Sequence, residues 1–311
     1  MDRERSLQGS LFYIFTTVSA FLVIVFLVGI FYILFSESYL AIKKFGIIGF
    51  IFSQEWDPVR DLFGAAPTIF GTVVTTLLSL FFAIPVALGI AIFVTEIAPD
   101  YIKAPVSVAI ELLAAIPSII YGMWGLFTLS PIMAEYIEPA LQQSLGRVPL
   151  VGRLFEGVPM GIDLLTASVI LSIMIIPLIA SISRDAFNLV PSIVKESAYG
   201  VGATRWEVIK KIVIPYSKLG IFGGVILAMG RALGETMAVA FVLGNKHQIT
   251  TSLLDAAATI TVSLANEFTE ADTDLYLSSL FYLSLILFAI SFVTLGVAKL
   301  TIQRLQRGGA R

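Results

Sequence analysis

Between Leu11 and Phe35 the chain carries no charged side chain. About 20 predominantly apolar residues suffice for a helix to cross the hydrocarbon core of a bilayer, whereas the apolar part of a signal peptide is about 7–15 residues long. No small-residue cleavage site follows the run, so it reads as a retained first transmembrane helix. The rest of the chain agrees with that solvent. Hydrophobic residues make up 57% of the 311 and charged residues 14%, against about 25% charge in soluble domains. Mean hydropathy is +0.92. Such a chain cannot cover its surface with polar groups in water, so the expected fold class is an all-α integral membrane protein.

Five further apolar stretches are long enough to span: Thr68–Thr95, Ala104–Leu129, Asp163–Ser183, Tyr216–Gly244 and Tyr276–Ala298. Basic residues near the spans set the expected orientation. One side collects Arg3 and Arg5, Lys103, a cluster of Arg184, Lys195, Arg205, Lys210, Lys211 and Lys218, and the tail residues Lys299, Arg304, Arg307 and Arg311. The other side holds only Lys43, Lys44, Arg60, Arg147, Arg153 and Lys246. Both termini are therefore expected in the cytoplasm. The division that follows is a first helix and external loop over 1–67, a five-helix core over 68–303, and a cytoplasmic tail over 304–311. Within the core, residues 190–215 form a long cytoplasmic connection.

Several function classes fall away. With 20 basic against 22 acidic residues there is no basic footprint for nucleic acid. Cysteine is absent and His247 is the single histidine, so no thiolate or histidine-based metal site is expected. No G-x-x-x-x-G-K-[ST], H-E-x-x-H or G-x-S-x-G occurs, which leaves no ATP cradle and no catalytic residue to name. The chain reads as a transport subunit with no cofactor of its own, not an enzyme.

The cytoplasmic connection has structure of its own. Pro191 suits a helix start, Ile193, Val194 and Ala198 form a candidate apolar stripe, and Gly200 and Gly202 end it. Thr204-Arg205-Trp206-Glu207 reads as a capping box opening a second short helix that stops at Pro215. Two short helices with a glycine elbow suit a docking surface. The small residues Gly220 with Gly224, and Gly230 with Gly234, permit close helix approach.

Glu196-Ser197-Ala198, then Gly202, then Ile212-Val213-Ile214-Pro215 resembles the EAA motif of the permease subunits of ABC importers. Serine in second place and isoleucine before the proline are departures from its usual form. A second set of motifs resembles the phosphate-specific branch of those permeases, the PstC type. These are Gly230-Arg231-Ala232-Leu233-Gly234-Glu235-Thr236-Met237 ending at Gly244-Asn245, Glu111 to Ser118 with Tyr121-Gly122 and Trp124-Gly125, and Trp56-Asp57-Pro58 with Phe63-Gly64 and Gly71-Thr72. The likeness runs from about residue 50 to 300.

The resemblance implies the type I (MetI-like) importer permease fold with six membrane helices, in a prokaryotic plasma membrane. It implies Glu196, Ser197, Ala198 and Gly202 as the coupling segment that docks an ATPase. Implied partners are a homologous permease, PstA, two PstB ATPases that bind ATP and Mg, and an external phosphate-binding protein, PstS. Implied cargo is inorganic phosphate, carried by alternating access. A sulfate or molybdate permease and a passive anion channel are the alternatives.

Arg231 and Glu235 stand out as charges inside a span, where an arginine costs at least about 2.5–3.5 kcal/mol. At i and i+4 they would share one helix face, yet Arg before Glu is the weaker order, about 0.2–0.5 kcal/mol at best. They are expected to line a polar path, with the planar guanidinium of Arg231 donating to an oxyanion and Glu235 acting in gating or ion pairing. A buried ion pair tying helices together is the other reading. Glu111 is expected to pair with nearby basic residues, His247 to be a loop residue, and Glu267, Glu270, Asp272 and Asp274 to form a solvated external cluster. Residues Met133–Pro159 are expected to be an external segment on a receptor-docking face.

Overall fold

Lipid cannot satisfy backbone N–H and C=O groups, so a spanning chain must satisfy them within helices. The computed structural model, which describes residues 2–149 and 151–308, is accordingly helical. Among the described residues there are only isolated bridges, between Asp57 and Leu62 and between Gly244 and Ala257. Helix α1 (Asp2–Glu37) is followed by short α2 (Tyr39–Phe45) and α3 (Ile47–Phe52). Next come α4 (Ala66–Ile92), α5 (Asp100–Ala114), and α6 (Ser118–Trp124) with α7 (Ser130–Ile132) and α8 (Glu138–Ser144). After α9 (Leu164–Asn188) come short α10 (Ser192–Gly200) and α11 (Arg205–Val208). Helices α12 (Ile214–Leu233), α13 (Met237–Ala240), α14 (Ile260–Glu267) and α15 (Asp274–Gly308) complete the chain.

Five stretches are long and apolar enough to cross a membrane: Phe12–Glu37, Ala66–Ile97, Leu164–Asn188, Arg205–Leu233 and Asp274–Arg304. The sixth is broken. Asp100–Ala114 and Ser118–Arg147 qualify only as a pair, bent by 91°. This corrects the straight span expected over Ala104–Leu129. Pro117 has no N–H and disfavours helix at the residue before it, and its own ψ of 137° is extended. The apolar run therefore turns a corner there, and the helix resumes at Ser118. Residues Met133–Ser144, expected in an external loop, continue that helix.

The fifth span is also shifted. The expected Tyr216–Gly244 stretch ends at Leu233, and it begins earlier, because Pro215 does not stop the preceding helix. A widened π-turn over Ile209–Val213 leads directly into α12. The same device recurs: Phe93–Ile97, Gly125–Leu129 and Met133–Ile137 are π-turns, each ending two positions ahead of a proline (Pro99, Pro131, Pro139). A proline inside a helix clashes with the carbonyl four residues back and leaves it without its donor. An i→i+5 turn relieves that crowding, and at three of the four sites the helix continues through the proline.

Helix α9 is the axis of the bundle. Ile170, Ile175 and Ile179 are fully buried there, against α4 and α12. α1, by contrast, has none of its most apolar window buried. Helices approach closely where glycine allows it. A Cβ on Gly220 would lie 2.4 Å from that of Ala186, and one on Gly71 would lie 2.1 Å from the Ala258 carbonyl oxygen. Gly220 and Gly224 thus pack on α9 as expected, and Gly230 meets Leu295 of α15. Gly234 instead ends α12. Along α4, Thr68, Thr72, Thr75, Thr76 and Ser79 are buried. Thr72 and Thr75 return their hydroxyl protons to the Thr68 and Gly71 carbonyls, each at 2.7 Å.

Candidate substrate path and coupling surface

α10 begins after Pro191 and ends at Gly200, and Gly202 follows with a left-handed φ of +88°. None of its residues is fully buried. Ala198 turns inward onto a small core with Phe187, Val190, Val208 and Val213. Ile193 does not share that face: it is exposed, as are Leu189, Trp206 and Val201, the last 86% accessible. The expected stripe therefore splits into an inward anchor and an outward apolar patch. Glu196 and Ser197 are exposed, and Ser197 Oγ donates to the Ile193 carbonyl at 2.7 Å. The capping box is present: Glu207 N–H donates to Thr204 Oγ1 at 3.3 Å, and Thr204 N–H to Glu207 Oε2 at 3.0 Å. Between α10 and α11 lies a crevice of about 320 Å³ lined by Ala198, Gly202, Glu207 and Lys211.

One contact here had no precursor in the sequence reading. Lys195 Nζ lies 2.5 Å from Glu96 Oε1, in the π-turn that closes α4. Glu96 falls one residue beyond the stretch read as a span, and nothing in its spacing points across the sequence to Lys195. Glu111 does pair as expected: Arg184 donates to it at 3.1 Å and to Asp185 at 3.0 Å.

Arg231 occupies the last turn of α12, where a cation is favoured by the helix dipole. It is exposed, it makes no ion pair among the described residues, and Tyr121 of α6 lies within its electrostatic reach. Glu235 is not on the same helix. The chain leaves helical geometry after Leu233, and Glu235 sits in the break, its Oε1 accepting the Ala238 N–H at 3.1 Å and its carbonyl accepting from Thr261 Oγ1 at 2.6 Å. The shared-face expectation is thus corrected. The carboxylate is used on α13, and α13 packs against α6 where a Cβ on Gly122 would come within 2.7 Å of the Met237 carbonyl oxygen.

On the opposite side from α10, the acidic cluster separates. Glu270, Asp272 and Asp274 are exposed, but Glu267 is buried and accepts from Trp56 Nε1 and from the Tyr276 hydroxyl, both at 2.7 Å. Burial pushes the Glu267 carboxyl up from its ordinary value. His247 is no loose loop residue. It stacks on Trp56 with ring centroids 5.2 Å apart, its Nε2 lies 2.9 Å from Ser263 Oγ, and burial pushes its pKa down to about 4. A second buried pair joins α8 to the start of α9. Thr166 Oγ1 lies 3.4 Å from Glu138 Oε1 and 3.3 Å from Asp163 Oδ2. Burial, reinforced by the adjacent Glu138, pushes Asp163 up to about 8.

Residues 98–307 match the family described as binding-protein-dependent transport system inner membrane component. Over 309 residues the chain is 50% identical to the phosphate transport system permease protein PstC of Mesorhizobium japonicum, covering 99% of this chain and 94% of that protein. It belongs to the PstC family of permeases. The PstC of Haemophilus influenzae is 47% identical over 298 residues, covering 96% of this chain and 94% of its own. Among solved structures, an inward-facing MetNI methionine ABC transporter superposes with a TM-score of 0.59 at 15% identity, covering 80% of this chain and 99% of that one. A bacterial ABC transporter that imports the polysaccharide alginate gives 0.57 at 16% identity, covering 94% and 96%. At that distance the likeness speaks for the fold, a MetI-like permease. Family members of this kind are multi-pass transport subunits that work with partner subunits.

Proposed function

We propose that the chain is the membrane-spanning permease subunit of an ATP-driven importer of inorganic phosphate. The observation that carries this reading is near full-length identity at 50% to a named phosphate permease. It sits in a prokaryotic plasma membrane with both termini in the cytoplasm, paired with a PstA-type permease, two PstB-type ATPases and a PstS-type binding protein. ATP and Mg are held by the ATPases. α10, through Glu196, Ser197, Ala198 and Gly202, is the docking element, and its exposed apolar patch with a free acidic residue supports that role. Arg231 is the substrate contact: a guanidinium with no carboxylate partner keeps its donor fork available to an oxyanion. Glu235 shapes the helix break beside it.

In the cycle, ATP binding closes the ATPase dimer, α10 follows, and the cavity turns outward. Phosphate leaves the binding protein past Arg231, and hydrolysis resets the cavity. The two cavity states must bind their partners differently, since a ligand shifts an equilibrium only by its differential affinity. Uptake of labelled phosphate into proteoliposomes carrying the full complex tests the reading, with and without ATP and with sulfate or molybdate competing. ATP-dependent phosphate uptake that resists sulfate supports it. Uptake of sulfate or molybdate instead overturns the cargo, and flux indifferent to ATP overturns the importer.

A further inference from the structure

The docking helix is tied to the membrane bundle at few points. No residue of α10 is fully buried, and Ala198 is its contribution to the small core beneath it. The remaining tie is Lys195 to Glu96 at 2.5 Å. Exposed ion pairs contribute little to holding a structure together, but this one is not exposed: the Glu96 side chain is 7% accessible and that of Lys195 21%. A carboxylate so far out of water needs its cation, because removing one member of a buried pair leaves an uncompensated charge. Lys195 is also the immediate neighbour of Glu196. Successive helical side chains point about 100° apart, so one residue of α10 reaches into the bundle while the next remains exposed.

Glu96 is the cytoplasmic end of a long lever. α4 runs back from it to Ala66 without a helix break, and Thr72 stands about 36 Å away along it at 1.5 Å per residue. There Thr72 Oγ1 accepts the Ile260 N–H at 3.0 Å, at the first residue of α14. The next residue, Thr261, donates its hydroxyl to the Glu235 carbonyl at 2.6 Å. Glu235 lies in the break that follows the Arg231 turn. Contiguous polar contacts thus connect the docking helix to the charged break through a single helix.

We propose that the Lys195–Glu96 ion pair is the point at which displacement of the docking helix enters the membrane bundle, and that α4 delivers it through Thr72 to the break at Arg231 and Glu235. Lys195, Glu96 and Thr72 are then positioning residues of transport coupling; none touches the transported anion. This rests on the importer reading above, with α10 as the ATPase-docking element.

The test measures phosphate taken up per ATP hydrolysed by the reconstituted complex, comparing wild type with Glu96→Gln, Lys195→Met, the exchange Glu96→Lys with Lys195→Glu, and Thr72→Val. Each single variant is expected to go on hydrolysing ATP while the ratio falls at least about fivefold, the lower end of a typical coupling between sites. The exchange is expected to bring the ratio back to within about twofold, since it restores the pair with opposite polarity. Single variants that keep the wild-type ratio overturn the proposal, as does an exchange that fails to restore it. Should the α10-side variants not assemble, Thr72→Val decides, because it leaves the docking end untouched: a normal ratio there overturns the route, and a lowered one supports it. A wild-type complex that hydrolyses ATP without moving phosphate sinks the importer reading and not this one.

Discussion

Glu235 gives its carboxylate to the Ala238 amide, 3.1 Å away, and makes no ion pair with Arg231 four residues earlier. The chain between them is not helix, so the usual geometry of an i,i+4 pair is absent. In its place a helix end carrying a positive side chain faces a short helix start whose N–H groups need an acceptor. Glu235 supplies that acceptor, and Arg231 is left available.

Arg231→Ala is expected to lower phosphate uptake at least about tenfold, while the thermal unfolding of the complex stays within about 0.5 kcal/mol of wild type, as for exposed positions generally. Glu235→Gln keeps an acceptor for Ala238 and should assemble normally, whereas Glu235→Ala should cost about 0.5–2 kcal/mol, the usual price of a lost cap. Undiminished uptake by an assembled Arg231→Ala complex would remove Arg231 from the mechanism.

At Gly202 the backbone φ of +88° favours glycine, yet an added Cβ meets nothing within 4 Å. Gly202→Leu is therefore strained only locally, by about 1–2 kcal/mol, and should leave the spans inserted. Its expected effect is on the docking elbow: ATP hydrolysis uncoupled from uptake. A normal ratio of transport to hydrolysis in that variant would count against α10 as the docking element.

Two glycines of one helix offer a controlled comparison. On Gly71 a Cβ would collide with the Ala258 carbonyl oxygen at 2.1 Å, whereas on Gly89 it meets nothing within 4 Å. Gly71→Ala is expected to destabilise by about 1–3 kcal/mol through overpacking. Gly89→Ala should be neutral or stabilising by up to about 1 kcal/mol. Melting temperatures of the purified chain in detergent, ranked the other way, would refute the packing of α4 against the segment before α14.

Asp163 sets a pH dependence. Its folded pKa of about 8 lies above the ordinary value of 3.8, so the protonated carboxyl is the form the fold prefers. Its contribution is full below the unfolded value and is lost as pH rises toward about 8. His247 works in the opposite sense: with its pKa pushed down from 6.5 to about 4, its contribution is lost as pH falls across that interval. Asp163→Asn can still cap α9 through its amide oxygen but cannot titrate. The decline in melting temperature between pH 6.5 and 8 is expected to be shallower in Asp163→Asn than in wild type; parallel curves would exclude Asp163 as the source.

The architecture was legible where charge and length speak directly. The uninterrupted apolar run of α1, the capping box at Thr204 and the left-handed Gly202 were all readable from spacing and residue type. The two breaks were not. Pro85 and Pro177 lie inside continuous helices while Pro117 turns a corner of 91°, and what separates them is the packing around each, which a linear pattern does not carry. The end of α12 at Gly234 has the same origin. Glu96, Trp56 and Glu267 escaped notice because their partners lie far along the chain: Lys195 for the first, and each other for the last two.

The π-turn before Pro215 has a consequence for insertions and deletions. Such a turn holds one residue more than an α-turn, and one residue of helix corresponds to about 100° of rotation. Deleting a single residue between Ile209 and Val213 would let the helix close regularly, at the cost of swinging everything after it around its axis. Arg231 would then face a different neighbour although no residue near it had changed. Sequence length in that turn is therefore as much a determinant of where the guanidinium points as the arginine codon itself.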